Sequence, residues 1–401
     1  MSAPLQGLRV LDMGWVMVGP TTGRYLADLG ADVVKLESAR RMDPLRYLGP
    51  FKDATPGLGR SLSYHNINAG KRSLTLDIKH PRGREIVLDL AKWADVVIES
   101  FSPGVLDSLK LSYRHLSAAN PRLIMLSTSL LGQTGPHAAG TSGVGTMGAS
   151  LSGATILLGS PDHRPCGTYG PWTDAIGPRF TAISILAALR QRAETGRGCL
   201  IDVAQAEAGI QFLTPAVYQY TVNGTIPLRS LDAEGPFKAP AGVFRCSGTD
   251  RWIAIDASAD RAWRNLRTLI GAPLTEVKFD TLIGRLRQRS ELKDAISAWA
   301  RDRDAAALEA QLQAAGVPAH VVSQSADLAA DPDLREHYRT VPAPTIDQAT
   351  IEGPRYALRR TPLRETSRGP ALGEHTRDIL SAVCGLSSGT IDELKSAGVL
   401  S

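Results

Sequence analysis

The feature that most constrains this chain is its opening. An apolar run, Leu8-Arg-Val-Leu-Asp-Met13, meets a turn carrying Gly14 and Gly19-Pro20, and a short helical stretch follows. A second apolar run, Ala31-Asp-Val-Val-Lys-Leu-Glu37, closes the unit on an acid. Strand, glycine turn, helix and strand in that order form a βαβ unit, whose first turn leaves backbone N–H groups where a nucleotide can approach. Gly14, Gly19 and Gly23 miss the dinucleotide fingerprint. Glu37 ends the second strand as a ribose-binding acid would, and it reads equally as an exposed strand end.

Strand and helix patterns go on alternating through the first 205 residues. Ser73-Leu-Thr-Leu-Asp77, Asp95-Val-Val-Ile98 and Leu123-Ile-Met-Leu-Ser127 read as strands, and Pro81 suits the start of a helix. Such alternation favours a parallel sheet covered on both faces by helices. Pro178 opens a helix to about Arg192 that is apolar on most sides, the pattern of a buried helix. Gly196-Arg-Gly198 stops it, and Leu200-Ile-Asp-Val203 begins another strand before a helix from about Gln205. Residues 224–240 shift to turn formers and charge, as a linker does. A smaller segment follows, with a strand at Trp252–Ile255, charged helices to about Ala315, and a strand at Ala319–Val322. Residues 140–160 are rich in Gly, Ser, Thr and Ala and read as a loop with small-residue packing.

Composition narrows the functional classes. At 401 residues, 43% hydrophobic and 21% charged, the chain is an ordinary globular one with material for two cores. No apolar run approaches the roughly 20 residues of a membrane span, and no secretory signal is visible, so a cytoplasmic location is expected. The four cysteines are scattered without metal spacing, and no HExxH motif or acid cluster occurs, so no metal site is expected. A net charge of +5 with 5% aromatics lacks the basic-aromatic clustering of a nucleic-acid binder and suits an anionic small molecule.

Few local motifs carry chemistry. Gly143-Val-Gly-Thr-Met-Gly148 matches GxGxxG, but turn formers precede it where a strand is required, so it reads as a flexible or tightly packed loop. Neither Ser142 nor Ser150 completes a Gly-x-Ser-x-Gly elbow. Asp174, in Gly170-Pro-Trp-Thr-Asp174-Ala-Ile-Gly177, reads as a helix cap or turn former. It also reads as a carboxylate held at a helix N-terminal end, where an anion is stabilised and can serve as a covalent nucleophile.

Across most of residues 5–400 the motifs resemble the class III CoA-transferases, the formyl-CoA and carnitine CoA-transferase group. The resemblance is carried by the opening, by Asn68-Ala-Gly-Lys-Arg-Ser-Leu-Thr-Leu-Asp-Ile-Lys79, and by Ala94-Asp-Val-Val-Ile98, Phe101-Ser-Pro-Gly104 and Asn120-Pro121. It continues in Gly132-Gln-Thr-Gly-Pro136, Asp174 with its helix, Thr195-Gly-Arg-Gly198, Gly316-Val-Pro318 and Gly373-Glu-His-Thr376. It implies an α/β fold: a Rossmann-like large domain with a parallel sheet and a smaller inserted α+β domain, two such subunits interlocking as a dimer. The implied boundaries are 1–205 for the first part of the large CoA-binding domain and 206–235 for a linker. The small domain spans 236–315, a second linker 316–335, and the rest of the large domain 336–401.

The same resemblance implies a mechanism without metal or bound cofactor, in which coenzyme A and its acyl thioester are substrates. Asp174 matches the nucleophile, forming a mixed anhydride and then an aspartyl-CoA thioester. Met17 and Val18 match the loop that contacts the nucleotide end of CoA, Leu76, Asp77, Ile78 and Lys79 match another contacting segment, and Phe101 matches an aromatic at the CoA site. Three positions depart from the family: Ser38 stands where a phosphate-binding Arg is usual, Ser100 for an Asn and Ser108 for an Arg. Phosphate contacts are therefore expected from Arg40, with Arg41, Lys71 and Arg72 as further candidates. The segment Ala206–Gly224 resembles the subgroup acting on aryl-substituted succinates with succinyl-CoA as donor. Partners are expected to be acyl-CoA, a carboxylic acid and a second copy or a related subunit, with neither nucleic acid nor membrane.

Three alternatives stand beside this reading. An acyl-CoA racemase would carry a His/Asp pair after the Gly-Gln-x-Gly-Pro loop, where this chain has Gly140-Thr-Ser-Gly-Val144. An NAD-dependent oxidoreductase would fit the opening and Glu37. A non-catalytic subunit of a paired transferase would not need Asp174.

Overall fold

The computed structural model describes residues 2–138, 143–159, 163–227, 229, 237–354, 356–361, 363 and 367–401. Residues 140–142 of the racemase comparison and, within the expected linker 206–235, residues 228 and 230–235 lie outside them. The chain divides into two compact units, one of residues 1–157, 165–227 and 336–401, the other of 158–164 and 228–335.

The first unit is built on six parallel strands: β1 (Arg9–Asp12), β2 (Asp32–Glu37), β3 (Arg72–Thr75), β4 (Val96–Glu99), β5 (Ile124–Ser129) and β6 (Leu200–Ala204). Their spatial order is β3-β2-β1-β4-β5-β6. The period-2 alternation of a strand sends neighbouring residues to opposite faces, and the two cores divide accordingly. Leu11, Val34, Leu74, Val97 and Met125 enter one core, against Leu90 of helix α2 (Pro81–Trp93) and against Ile379 and Ile391. Val10, Val33, Val96, Ile98, Ile124 and Leu126 enter the other, against Leu26 and Ile185. Those two belong to helices α1 (Val18–Asp28) and α4 (Trp172–Thr195). Between them in sequence lies the short helix α3 (Gly145–Leu151); α5 (Gln205–Phe212) and α6 (Thr214–Asn223) follow β6.

Three sequence expectations change. Residues 145–151 are helical where a loop was expected, because small side chains let that segment pack against α4. Helix α4 begins at Trp172, six residues ahead of Pro178, which lies inside it. Proline forfeits the hydrogen bond to the carbonyl four residues earlier, here that of Asp174, but burial of Thr173, Asp174, Ile176 and Gly177 keeps the first turns helical. The apolar character of α4 does not mean burial on all sides, since Ile183 is 65% exposed.

The outer edge of β3 is sealed by the last part of the chain. The β3 amides of Ser73 and Thr75 donate to His375 Nδ1 (3.2 Å) and Thr376 Oγ1 (3.0 Å), and the His375 amide donates to the Ser73 carbonyl. Just beyond the strand, the Asp77 amide donates to the Val399 carbonyl at 2.8 Å. An exposed strand edge is thereby covered, which gives the Gly373–Thr376 motif a structural role.

The second unit holds an antiparallel sheet of β7 (Ala241–Arg245), β8 (Trp252–Asp256) and β9 (Ala319–Val321). Helices at Asp260–Ile270, Arg289–Ala300 and Ala305–Ala314 close its core around Trp263, Phe279, Ile296 and Leu308. Among the described residues no helix is long and apolar enough to cross a membrane, and no group of three or more His, Cys, Asp or Glu could hold a metal ion.

Candidate active site

The strand order reverses between β1 and β4, since β2 and β3 lie to one side and β5 and β6 to the other. Loops leaving the carboxyl ends of β1 and β4 diverge there and open a crevice, the usual ligand position in such sheets. A cleft of about 190 Å³ occupies that place. Its walls are Trp15–Val18 after β1, Ser100–Pro103 after β4, Thr128–Leu130 at the carboxyl end of β5, Gly143 and Val144, and Asp174 and Gln205. Met17, Val18, Phe101 and Asp174, expected from the sequence, are brought together.

Asp174 sits in the first turn of α4, 5% exposed, and its Oδ2 accepts the Gly145 amide at 3.3 Å. Burial pushes its pKa up to about 6, and the Gly145 hydrogen bond pulls the other way without prevailing. A carboxylate left partly unsatisfied at a cleft wall is a better nucleophile than a solvated one. The glycines of the 143–148 motif make this approach possible. A Cβ on Gly145 would lie 2.8 Å from Asp174 Cγ, and one on Gly148 would lie 2.3 Å from Thr173 Oγ1. The motif cradles the carboxylate turn. We expect Gly148→Val to displace Thr173 and the adjoining carboxylate, lowering activity by about 100-fold with the fold retained, as steady-state kinetics and circular dichroism will check.

The remaining expected residues lie on the same carboxyl edge, at the ends of β2 and β3. Leu76, expected as a CoA contact, is wholly buried in the core and instead anchors the turn that follows it. Ile78 packs against that core, and the exposed Lys79 donates its amide to Asp77 Oδ1 at 2.9 Å. Arg40, largely exposed, reaches Asp77 Oδ2 at 3.2 Å. From β3 to β4 is three strand spacings, roughly 14 Å.

Two basic candidates are placed elsewhere. Lys71 is fully buried, its Nζ donating to Asp12 Oδ2 (2.7 Å), the Pro20 carbonyl (2.7 Å) and Asn68 Oδ1 (2.8 Å). Burial draws its pKa down to about 8, with Asp12 opposing. Arg72 pairs with Asp32 at the opposite, amino edge of the sheet. Neither reads as a phosphate ligand. Glu37 is neither a ribose ligand nor an exposed strand end. It is 1% exposed and holds Arg46 (2.6 and 2.8 Å), while Tyr64 donates to it at 3.1 Å. Burial opposes its ionisation, but Arg46 and Lys35 bring its pKa to about 2.

Several wall residues escaped the sequence reading. Trp15 lies against Phe101, ring centroids 5.9 Å apart, and the Arg41 guanidinium lies over the Trp15 ring at 4.9 Å. Ser100 accepts the Trp15 amide at 2.8 Å. The departure from Asn at that position thus leaves a shorter side chain tying the two loops together. Glu99, 3% exposed, accepts the Phe101 amide at 2.7 Å, and burial pushes its pKa up to about 7. It lines a neighbouring cavity of about 350 Å³.

Comparison with known proteins agrees with this geometry. A family model described as CoA-transferase family III matches residues 5–376. The succinyl-CoA–D-citramalate CoA-transferase of Chloroflexus aurantiacus is 31% identical over 401 residues, covering 99% of this chain and 98% of its own length. The alpha subunit of succinyl-CoA–L-malate CoA-transferase from the same organism is 32% identical over 406 residues, covering 99% and 92%. The crystal structure of a CAIB/BAIF family protein from Brucella suis superposes with a TM-score of 0.86 at 31% identity, covering 96% of this chain and 100% of that one.

Proposed function

The chain belongs to CoA-transferase family III, and from that premise we propose that it moves CoA from succinyl-CoA to a second carboxylic acid through a covalent intermediate on Asp174. It is an enzyme of CoA transfer from an acyl-CoA donor to a carboxylic acid. The observation that carries the finer reading is a buried carboxylate with a pKa raised to about 6 in the wall of the cleft shared by Met17, Val18 and Phe101.

In the first step an Asp174 oxygen attacks the thioester carbonyl carbon. The new C–O bond gives a mixed anhydride, and the C–S bond breaks to release CoA thiolate. The thiolate then attacks the Asp174 carboxyl carbon, forming a C–S bond and expelling the donor as its carboxylate. The acceptor carboxylate attacks that aspartyl thioester and frees thiolate, which takes the acceptor acyl group and returns Asp174. No electron and no net proton changes hands. The Gly145 N–H, already aimed at the carboxylate, supplies a donor for the oxyanion formed at that carbon. Met17 and Val18, expected at the nucleotide end, share the cleft with Asp174 and so flank the thioester end together with Phe101. Arg40, Asp77, Ile78 and Lys79 meet the nucleotide end, the two basic side chains answering phosphate charge. The buried Leu76 anchors that turn in the core.

Mass spectrometry of the intact protein after brief exposure to succinyl-CoA tests the reading. A CoA adduct on Asp174 supports it, and no adduct despite measurable CoA binding removes it. Screening acceptors among hydroxylated dicarboxylic acids and aryl-substituted succinates then identifies the second substrate.

The pH dependence follows from the need for an ionised nucleophile. We expect kcat/KM to rise tenfold per pH unit below about 6 and to level above it, because protonated Asp174 cannot attack. The same profile in Glu99→Gln should keep that midpoint. A midpoint that shifts with this variant would assign the titration to Glu99.

The assembly belongs to the same proposal: two copies interlock. Helices α4 and α6 support this by leaving Ile183 (65%), Leu186, Tyr218 and Val222 (76%) exposed, an apolar surface that a second chain would cover. Light scattering on the purified protein should give twice the chain mass. A monomer would remove this part of the reading, and an inactive monomer would point to a related partner subunit.

A further inference from the structure

Val16, a β-branched residue in the cleft wall, has a φ of 62°. That left-handed conformation is strained for such a side chain and persists only where surrounding structure enforces it. The enforcing contacts come from other elements. Asp43 Oδ1 accepts the Val16 amide at 3.0 Å and the Leu45 amide at 2.9 Å. Asp43 Oδ2 pairs with Lys35 Nζ at 2.9 Å, both side chains being 0% exposed. Lys35 Nζ also donates to the Gly14 carbonyl at 2.7 Å. On the flanks, Asp12 Oδ1 accepts the Gly14 amide at 2.9 Å and Ser100 Oγ the Trp15 amide at 2.8 Å. Each amide from Gly14 to Val16 is therefore gripped by a side chain, and Met17 and Val18 follow directly.

We propose that the buried Lys35–Asp43 pair is a positioning clamp that holds Val16 in its left-handed conformation and so presets the Trp15–Val18 turn for the thioester end of acyl-CoA. This rests on the reading of the cleft as the CoA site. Burial by itself would push the Lys35 ammonium down, yet Asp43, Asp12 and Glu37 hold its pKa above the ordinary lysine value, so the clamp stays charged. Lys35 and Asp43 touch no reacting atom. Their contribution is preorganisation, which spares the ligand the cost of ordering the turn and should appear in affinity rather than in the rate at saturation.

The test compares two charge-free pairs that differ in one acceptor. Lys35→Met with Asp43→Asn keeps an amide oxygen for the Val16 N–H; Lys35→Met with Asp43→Leu removes it. Calorimetric titration with CoA gives affinity, adduct formation from succinyl-CoA gives the rate at saturation, and thermal melting gives stability. The Asn pair should keep CoA affinity within about threefold of the native protein. The Leu pair should lose about tenfold or more, with the saturating adduct rate within about threefold. Adding Val16→Gly to the Leu pair should recover part of the loss, because glycine takes positive φ without strain; a merely structural role would not be rescued this way. Equal CoA affinity in the two pairs at equal melting temperature would overturn the proposal. Val16→Pro covers the case in which neither pair folds. Its φ is fixed negative and it lacks the N–H, so CoA affinity should fall by at least about tenfold, and unchanged affinity would overturn the clamp. Failure of the native protein to form an adduct while it binds CoA would instead count against Asp174.

Discussion

Asp174→Asn should abolish the covalent CoA adduct and lower transfer by about 10⁴-fold or more, since among the described residues lining the cleft no second carboxylate stands in for it. The same substitution should stabilise the fold, which separates loss of chemistry from loss of structure. The folded-state pKa of Asp174, about 6, lies above the ordinary carboxyl value of 3.8. Between those values the folded chain binds more protons than the unfolded one, so stability falls as pH rises through that window. Above it the buried anion costs up to about 3 kcal/mol. Asp174→Asn should therefore melt at a higher temperature than the native protein at pH 8, the difference shrinking towards pH 4. An inactive variant that also melts lower at pH 8 would contradict this account. Urea unfolding at both pH values is the direct check.

Lys71→Met should carry the largest loss of stability, about 3–5 kcal/mol. It strips the Asp12 carboxyl of its 2.7 Å partner in a place with no access to water. Asp12 also holds the Gly14 amide, so the cleft turn should loosen with the core. Lys71→Met combined with Asp12→Asn should recover most of the loss, because a neutral amide tolerates the site and still accepts the Gly14 hydrogen bond. Denaturant midpoints for the two proteins will show whether the pair acts as a unit. Failure of the second substitution to restore stability would mean that Lys71 acts chiefly through Pro20 and Asn68.

Much of the sheet was legible because buried parallel strands announce themselves as short apolar runs between turn residues. The runs at Val10, Val33, Val96 and Ile124 all became central strands. The helix carrying Asp174 was harder. Pro178 is a strong local start signal, and only the packing of Thr173 and Asp174 against Gly145 and Gly148, about 28 residues away, extends the helix before it. The glycine pattern at 143–148 was seen, but its purpose depends on what it touches. Charged residues were the least legible. Lys71 and Glu37 look like surface groups in any local window, and their burial depends on Asp12 and Arg46, partners that periodicity does not reveal. Trp15 escaped for a similar reason, since its contacts with Phe101 and Arg41 join three loops.

The covered edge of β3 has a consequence for how this protein is made. Ser73, Thr75 and Asp77 take their partners from residues 375, 376 and 399, some 300 positions later in the chain. While a ribosome is still translating the second unit, that edge has no cover, and the turn carrying Asp77, Ile78 and Lys79 has no final anchor. The turn we propose for the nucleotide end of CoA is thus among the last parts to form, after the helix carrying Asp174 has already been synthesised. A nascent chain stalled before residue 370 would present an unpaired strand edge to its neighbours, which makes the closing segment a checkpoint against premature association.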